Sequence, residues 1–208
     1  MQTKRLISQI IFLIIFLFLM FTNKAQIWMA FLFLSIGLAA FFGRFYCGWI
    51  CPINTTTRVG NFLGKLFGTQ KKGVPKFFKS KGLRVTIFVI FLGALGYTIY
   101  TMMNGQKFPL PVIIIGLGVL FTIFINENTW HRYLCPWGIL LSFTAKFSKR
   151  GLNVNQSGCI SCKKCYNACP AEAIDFDKKA EIDKRYCLQC YKCQDSCPVD
   201  VISYEKEN

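Results

Sequence analysis

Residues 159–170 read Cys159-Ile160-Ser161-Cys162-Lys163-Lys164-Cys165-Tyr166-Asn167-Ala168-Cys169-Pro170. The pattern returns 28 residues on as Cys187-Leu188-Gln189-Cys190-Tyr191-Lys192-Cys193-Gln194-Asp195-Ser196-Cys197-Pro198. Three cysteines on one tight loop can reach three corners of an iron–sulfur cubane. The remote fourth, with its proline turning the chain, reaches across to the other cluster. The spacing therefore assigns Cys159, Cys162, Cys165 and Cys197 to one four-iron (4Fe-4S) cluster. Cys187, Cys190, Cys193 and Cys169 go to a second. Zinc also takes four thiolates, but zinc motifs seldom carry three cysteines at this spacing plus Cys-Pro, twice. Ala173-Ile174 and Val201-Ile202 follow the two motifs at matching positions, where they would cover the clusters with apolar side chains.

Upstream the composition changes. The whole chain of 208 residues is 53% hydrophobic and 17% charged, too apolar for an ordinary soluble domain. Long apolar runs predict four spans, at about Leu6–Phe21, Ile27–Phe45, Val85–Met103 and Phe108–Ile125. Lys4 and Arg5 precede the first, as in a signal peptide, but the Thr22–Gln26 segment lacks a small-x-small cleavage site, so an uncleaved helix is expected. Residues 1–150 hold 17 Lys and Arg against one acid, Glu127, while residues 151–208 hold 8 against 9. Such a basic excess can signal nucleic acid, but here it flanks apolar spans and the positive-inside rule accounts for it better. The outer turns carry only Lys24 and Lys107. The run from Arg58 to Arg84 carries eight cations and no acid, which puts both termini in the cytoplasm and the thiols on the reducing side. A tail that gains negative charge with its clusters is expected to dock on that basic run.

The spans repeat. The first hairpin ends in Cys47-Gly48-Trp49-Ile50-Cys51-Pro52 and the second in His131-Arg132-Tyr133-Leu134-Cys135-Pro136, 84 residues apart, with His131 at the position of Cys47. Two like hairpins related by a pseudo-twofold would bring Cys51 and Cys135 together, with Cys47 and His131 one turn back. A metal or redox-thiol site is expected there. The blander alternative is three buried free cysteines and an interfacial histidine at helix ends. Trp49, Trp130, Trp137, Tyr46 and Tyr133 would form an aromatic belt at the membrane surface. Residues Gly138–Arg150 read as an amphipathic segment lying at the interface.

Residues 159–202 resemble bacterial-type ferredoxins. The whole chain resembles the membrane-bound iron–sulfur proteins of the NapH and NosR type, through Cys47-Gly48-Trp49-Ile50-Cys51-Pro52 and the ferredoxin tail. One departure is plain: the second Cys-x-x-x-Cys-Pro of that family stands here as His131-x-x-x-Cys135-Pro136. The resemblance implies an electron-transfer subunit rather than a stand-alone enzyme, in the inner (cytoplasmic) membrane. It implies a cytoplasmic electron carrier on one side and a membrane or periplasmic oxidoreductase partner, or the quinone pool, on the other. A rival reading is a membrane reductase or sensor that supports the maturation or regulation of a metalloenzyme. The fold expected is thus a membrane all-α domain of four transmembrane helices in two repeated hairpins, residues 1–150. A small cytoplasmic α+β two-cluster ferredoxin domain, residues 151–208, completes it.

Overall fold

The computed structural model describes residues 1–22, 24–70, 74–106 and 108–206. Lys71, Lys72 and Lys107, singled out above for their charge, lie outside the described residues, as does the Lys76 side chain. The chain is mostly helical and divides into two compact units: residues 1–55 with 140–208, and residues 56–139.

The first unit opens with α1 (Gln2–Phe21) and α2 (Ala25–Phe42), joined by a short turn. Helix α2 stops at Gly43, whose φ of +66° an L side chain rarely adopts. A one-turn helix, α3 (Phe45–Trp49), follows, and α4 (Pro52–Leu66) begins in this unit. The second span therefore ends before Cys47. Pro52 and Pro136 stand at the first position of α4 and α8, where the missing N–H costs nothing.

The second unit contains most of α4, then α5 (Lys81–Met103), α6 (Leu110–Phe124) and α7 (Glu127–Thr129). Helix α7 runs into a π-helical turn, Trp130–Leu134, before α8 (Pro136–Ala145). Gly60 and Gly64, one turn apart on α4, let that helix meet α6 backbone to backbone. A Cβ on Gly64 would lie 2.2 Å from the Ile123 carbonyl oxygen. The Gln70 amide ties the same helices together by donating to Asn61 Oδ1 and to the Thr122 carbonyl, each at 2.7 Å.

Helices α1 and α5 are long and apolar enough to cross a membrane; α2 and α6 are apolar but shorter. Fifteen residues of α6 reach about 22 Å, against about 30 Å of hydrocarbon. Large apolar side chains stand exposed along these helices, among them Ile14, Phe18, Leu34, Phe41, Val89, Ile90 and Leu120. Soluble monomers rarely expose such apolar surface. Two expectations are corrected. Tyr46, Trp130, Tyr133 and Trp137 are buried by protein and do not form an outward belt. Residues 138–145 belong to an apolar helix whose Ile139, Leu141 and Ala145 are buried, and the open positions of that segment are Phe143, Lys146, Phe147, Lys149 and Arg150.

The tail is built on two small antiparallel ribbons. β1 (Arg150–Val154) pairs with β4 (Ile202–Lys206), with Leu152 opposite Tyr204. β2 (Ile174–Phe176) pairs with β3 (Ala180–Ile182). Short helices α9 (Lys164–Ala168) and α10 (Lys192–Asp195) follow the two cysteine loops. Its core joins Leu152, Ile174, Ala180 and Ile202 to Cys165 and Cys193, so the strands cover the face where cysteines point inward.

Candidate functional site

Backbone conformation makes the two cysteine loops equivalent. Among the described residues, the non-glycine positions with left-handed φ are Ser161, Lys163, Glu172, Gln189, Tyr191 and Asp200, three pairs offset by 28 positions. Each such residue turns the chain so that amides can face a sulfur. The Gln189 amide donates to Cys187 Sγ at 3.4 Å, and the Ala173 amide to Cys169 Sγ at 3.3 Å.

Two cavities result. Cys159, Cys162, Cys165 and Cys197 line the first, together with Val201 and Ile202. Cys169, Cys187, Cys190 and Cys193 line the second, together with Ala173 and Ile174. Each remote cysteine thus joins the loop of the other motif. Among the described residues, no three His, Cys, Asp or Glu side chains converge closely enough to hold a single metal ion. Four sulfurs on one zinc would each lie about 2.3 Å from it. A ring of cysteines around a cavity fits a larger group, and a cubane with its sulfides is such a group.

The thiols differ in their electrostatics. Hydrogen bonds from the backbone of Ala180 and Ser161 hold the Cys159 thiol below its ordinary range. Burial raises Cys165, pushes Cys187 well up, and pushes Cys193 to about 12. Ligation requires thiolates. Iron held by the second loop would have to supply most of what deprotonates these thiols, and its assembly would release protons.

The second loop is packed against the first hairpin. Arg5 of α1 donates to the Cys190 carbonyl at 2.8 Å, and Gln2 to the same oxygen at 3.0 Å. Trp49 Nε1 of α3 donates to the Gln189 carbonyl at 3.0 Å, and the Gln189 side-chain Nε2 donates to the Phe42 carbonyl. Gly48 lets the two backbones touch: a Cβ there would lie 2.1 Å from the Leu188 carbonyl oxygen. The cations in this contact are Arg5 and Arg44, outside the Arg58–Arg84 run to which charge alone pointed. Sequence reasoning took Arg5 for a topogenic charge and passed over Gly48. The available signal was a glycine inside Cys47-Gly48-Trp49, where helix propensity disfavours one.

The Cys-Pro segments also match each other. In the first unit Cys51 N–H donates to the Tyr46 carbonyl at 3.0 Å; in the second Cys135 N–H donates to the Trp130 carbonyl at 2.8 Å. Both are five-residue closures at positions 84 apart. Each cysteine then precedes the proline that starts a helix, and Cys135 Sγ accepts the Gly138 amide at 3.4 Å. Cys47, Cys51, Cys135 and His131 are all buried. Cys47 sits in α3 and its carbonyl accepts the Asn54 amide at 2.7 Å. Cys51 lies beyond the end of α3, so Cys47 and Cys51 are not one turn apart on a single helix.

A family model described as a 4Fe-4S binding domain matches the chain twice, over residues 24–70 and 108–155. A second, described as a 4Fe-4S dicluster domain, matches residues 153–204. The ferredoxin-type protein NapH of Haemophilus influenzae is 28% identical over 140 residues, 61% of this chain and 47% of that protein. The chain is a NapH-like ferredoxin-type protein. The methylamine utilization ferredoxin-type protein MauN of Methylorubrum extorquens is 29% identical over 138 residues, covering 61% of this chain and 47% of MauN. An uncharacterized protein of Methanocaldococcus jannaschii is 30% identical over 143 residues, 67% of this chain and 56% of its own length. The NapH-like chain thus spans about half the length of the curated relatives it matches. No solved structure matches it. The double match of one family model coincides with the 84-residue repeat, each copy containing one Cys-Pro segment.

Proposed function

We propose that the chain is a membrane-anchored iron–sulfur protein that passes single electrons between a cytoplasmic carrier and a membrane partner or the quinone pool. The observation that carries this reading is the pair of four-cysteine cavities, the second packed against the ends of α1 and α3. Cys159, Cys162, Cys165 and Cys197 hold one 4Fe-4S cluster; Cys187, Cys190, Cys193 and Cys169 hold the other. When bound, the clusters supply one-electron chemistry; the protein tunes it by burial and by hydrogen bonds to sulfur.

Residues 1–150 form the membrane part, with α1, α2, α5 and α6 as four spans, and residues 151–208 form the cytoplasmic part. The exposed apolar faces and the Lys and Arg imbalance support this topology, with both termini inside. An apolar cavity of about 450 Å³ between Leu34, Phe42, Tyr46, Gln189, Tyr191 and Tyr204 supports a lipid-soluble carrier as the membrane-side partner. It lies at the second loop, where an electron would leave or enter.

The Cys-Pro segments belong to the same proposal. Cys47 and Cys51 of the first segment, and Cys135 of the second, four residues after His131, carry a redox-thiol role, each within its own segment. Its support is the wide turn shared by both copies, a conformation common at functional sites. Anaerobic purification of the full chain, iron and sulfide analysis and EPR test the whole reading. About eight irons per chain are expected; stoichiometric zinc without iron would refute it. The Cys51→Ser, Cys135→Ser double variant should keep those irons and lose electron transfer to membrane acceptors. Normal turnover in that variant would remove the Cys-Pro segments from the function.

A further inference from the structure

Arg5 and Arg44 are two of the most buried side chains in the chain, 2% and 1% exposed. Both are turned to the second cysteine loop. Arg5 reaches the Cys190 carbonyl at 2.8 Å, and Arg44 reaches the Tyr186 carbonyl at 3.5 Å with Cys47 Sγ 4.0 Å away. Among the described residues the Nε of each has no acceptor. Among the described residues neither guanidinium meets a carboxylate. Asp195, the acid that joins this network, is exposed and takes the Gln2 amide at 2.8 Å.

A guanidinium does not shed its proton to escape burial. Two buried cations facing only carbonyl dipoles and a thiol lack the counter-charge that makes burial tolerable. Among the described residues no side chain supplies the anion they lack. A four-iron cluster on four thiolates carries a net charge of about −2 when oxidised and one unit more when reduced. The second cavity, whose Cys190 carbonyl Arg5 holds, is where such an anion would sit. At the first cavity Lys163, which lines it, is exposed, and water and salt screen its charge.

We propose that Arg5 and Arg44 are the counter-charges of the second-cavity cluster and set its reduction potential above that of the first. This rests on the reading that both cavities hold clusters. The physical reason is that buried positive charge favours the more negative, reduced state. Reduction adds one electron from a one-electron donor and makes or breaks no bond, so the charge alone moves the equilibrium. The electron then rests on the cluster beside the hairpin, with the first cluster as the outer port. Arg5 and Arg44 are positioning residues in this scheme; they neither ligate nor react.

The test is an EPR-monitored redox titration of the full chain, purified anaerobically, with iron counted in every sample. Arg5→Gln keeps a hydrogen-bond donor and removes the charge; Arg5→Lys keeps the charge. Arg5→Gln and Arg44→Gln should each shift the second cluster at least tenfold toward its oxidised form, about 59 mV for a one-electron couple. The first cluster should move far less, and Arg5→Lys should keep the second cluster near its native potential. Unchanged potentials in both Gln variants at full iron content would overturn the proposal. So would Arg5→Lys behaving like Arg5→Gln, since geometry and not charge would then be at work. If the Arg variants do not assemble, Cys162→Ser marks the first-cavity signal in an otherwise native chain. The unmarked signal must then have the higher potential, and the reverse order overturns the proposal. A wild-type chain without iron would overturn the underlying reading as well, and the iron count identifies that case.

Discussion

Cys162 in the first cavity is exposed; Cys190, its counterpart 28 residues on, is buried with its carbonyl capped by Arg5 and Gln2. Ile160 is 59% exposed and Leu188, at the same place in the second loop, 2%. Lys163 faces solvent, whereas Tyr191 packs at 6.1 Å from the Trp49 ring. One motif and one set of left-handed turns therefore produce two sites with opposite surroundings. The difference comes from outside the repeat, from α1 and α3. It teaches that ligand spacing fixes what a loop can bind, while the residues between the ligands, Leu188, Gln189 and Tyr191 against Ile160, Ser161 and Lys163, fix what the loop can touch.

The largest test of this comparison removes one site at a time. Cys193→Ala and Cys169→Ala should abolish the same cluster, taking iron from about eight per chain to about four. Cys165→Ala and Cys197→Ala should abolish the other. EPR of the four variants would fall into these two pairs. Pairing by sequence neighbours, with Cys169→Ala resembling Cys165→Ala, would break the crossed assignment.

A chemical contrast comes next. With iron removed by a chelator under reductant, the thiols of the two loops should alkylate at different rates. Cys193 is pushed up to about 12 from an ordinary 9.0, so at pH 8 it holds far less thiolate than an exposed cysteine. Three units cut the thiolate about a thousandfold, and the greater nucleophilicity of a more basic thiolate returns about half of that on a logarithmic scale. Cys193 should therefore react about thirtyfold more slowly than an ordinary cysteine. Cys159, held below the ordinary range, should react faster than one. Peptide mapping by mass spectrometry gives the order; equal rates would mean that the second loop is not shielded.

Much of this was legible in the residues. The two cysteine motifs name the ligand sets that line the cavities, because local spacing and the proline turns leave few other closures. The 84-residue repeat is legible for the same reason, and it reappears as matching five-residue turns at Cys51 and Cys135. Docking was not legible. Arg5 carries the same charge whether it faces lipid headgroups or a Cys190 carbonyl, and composition cannot separate the two. The break at Gly43 was also hidden, because the apolar run continues through Phe45 while the backbone turns. Gly48 gave the only hint of a close contact.

That contact predicts the next effect in size. Gly48→Ala would place a methyl 2.1 Å from a backbone oxygen, so α3 or the second loop must shift. Overpacking of this kind costs about 1–3 kcal/mol. The expected outcome is faster proteolytic cleavage within residues 186–192 and a lower unfolding midpoint in detergent. The equivalent stretch of the first loop should keep its cleavage rate.

Trp49→Phe sharpens the comparison at the smallest scale. The substitution keeps a ring for the stacking on Phe45, whose centroid is 5.4 Å away, and for the edge contact with Tyr191. It removes one donor, Nε1, from the Gln189 carbonyl. A single hydrogen bond of this kind is worth about 0.5–1.5 kcal/mol net. The loss should therefore be smaller than that of Gly48→Ala and confined to the second loop. Cutting at residues 186–192 should rise several-fold at most, with the iron content unchanged, because no cysteine moves. If Trp49→Phe destabilised the chain as much as Gly48→Ala, the indole would be holding the loop through more than its N–H. A Trp49→His variant, which can restore a ring donor, would then recover little of the loss. If Trp49→Phe changed nothing, the grip of the hairpin on the second loop would rest on Arg5, Arg44, Gln2 and Gln189.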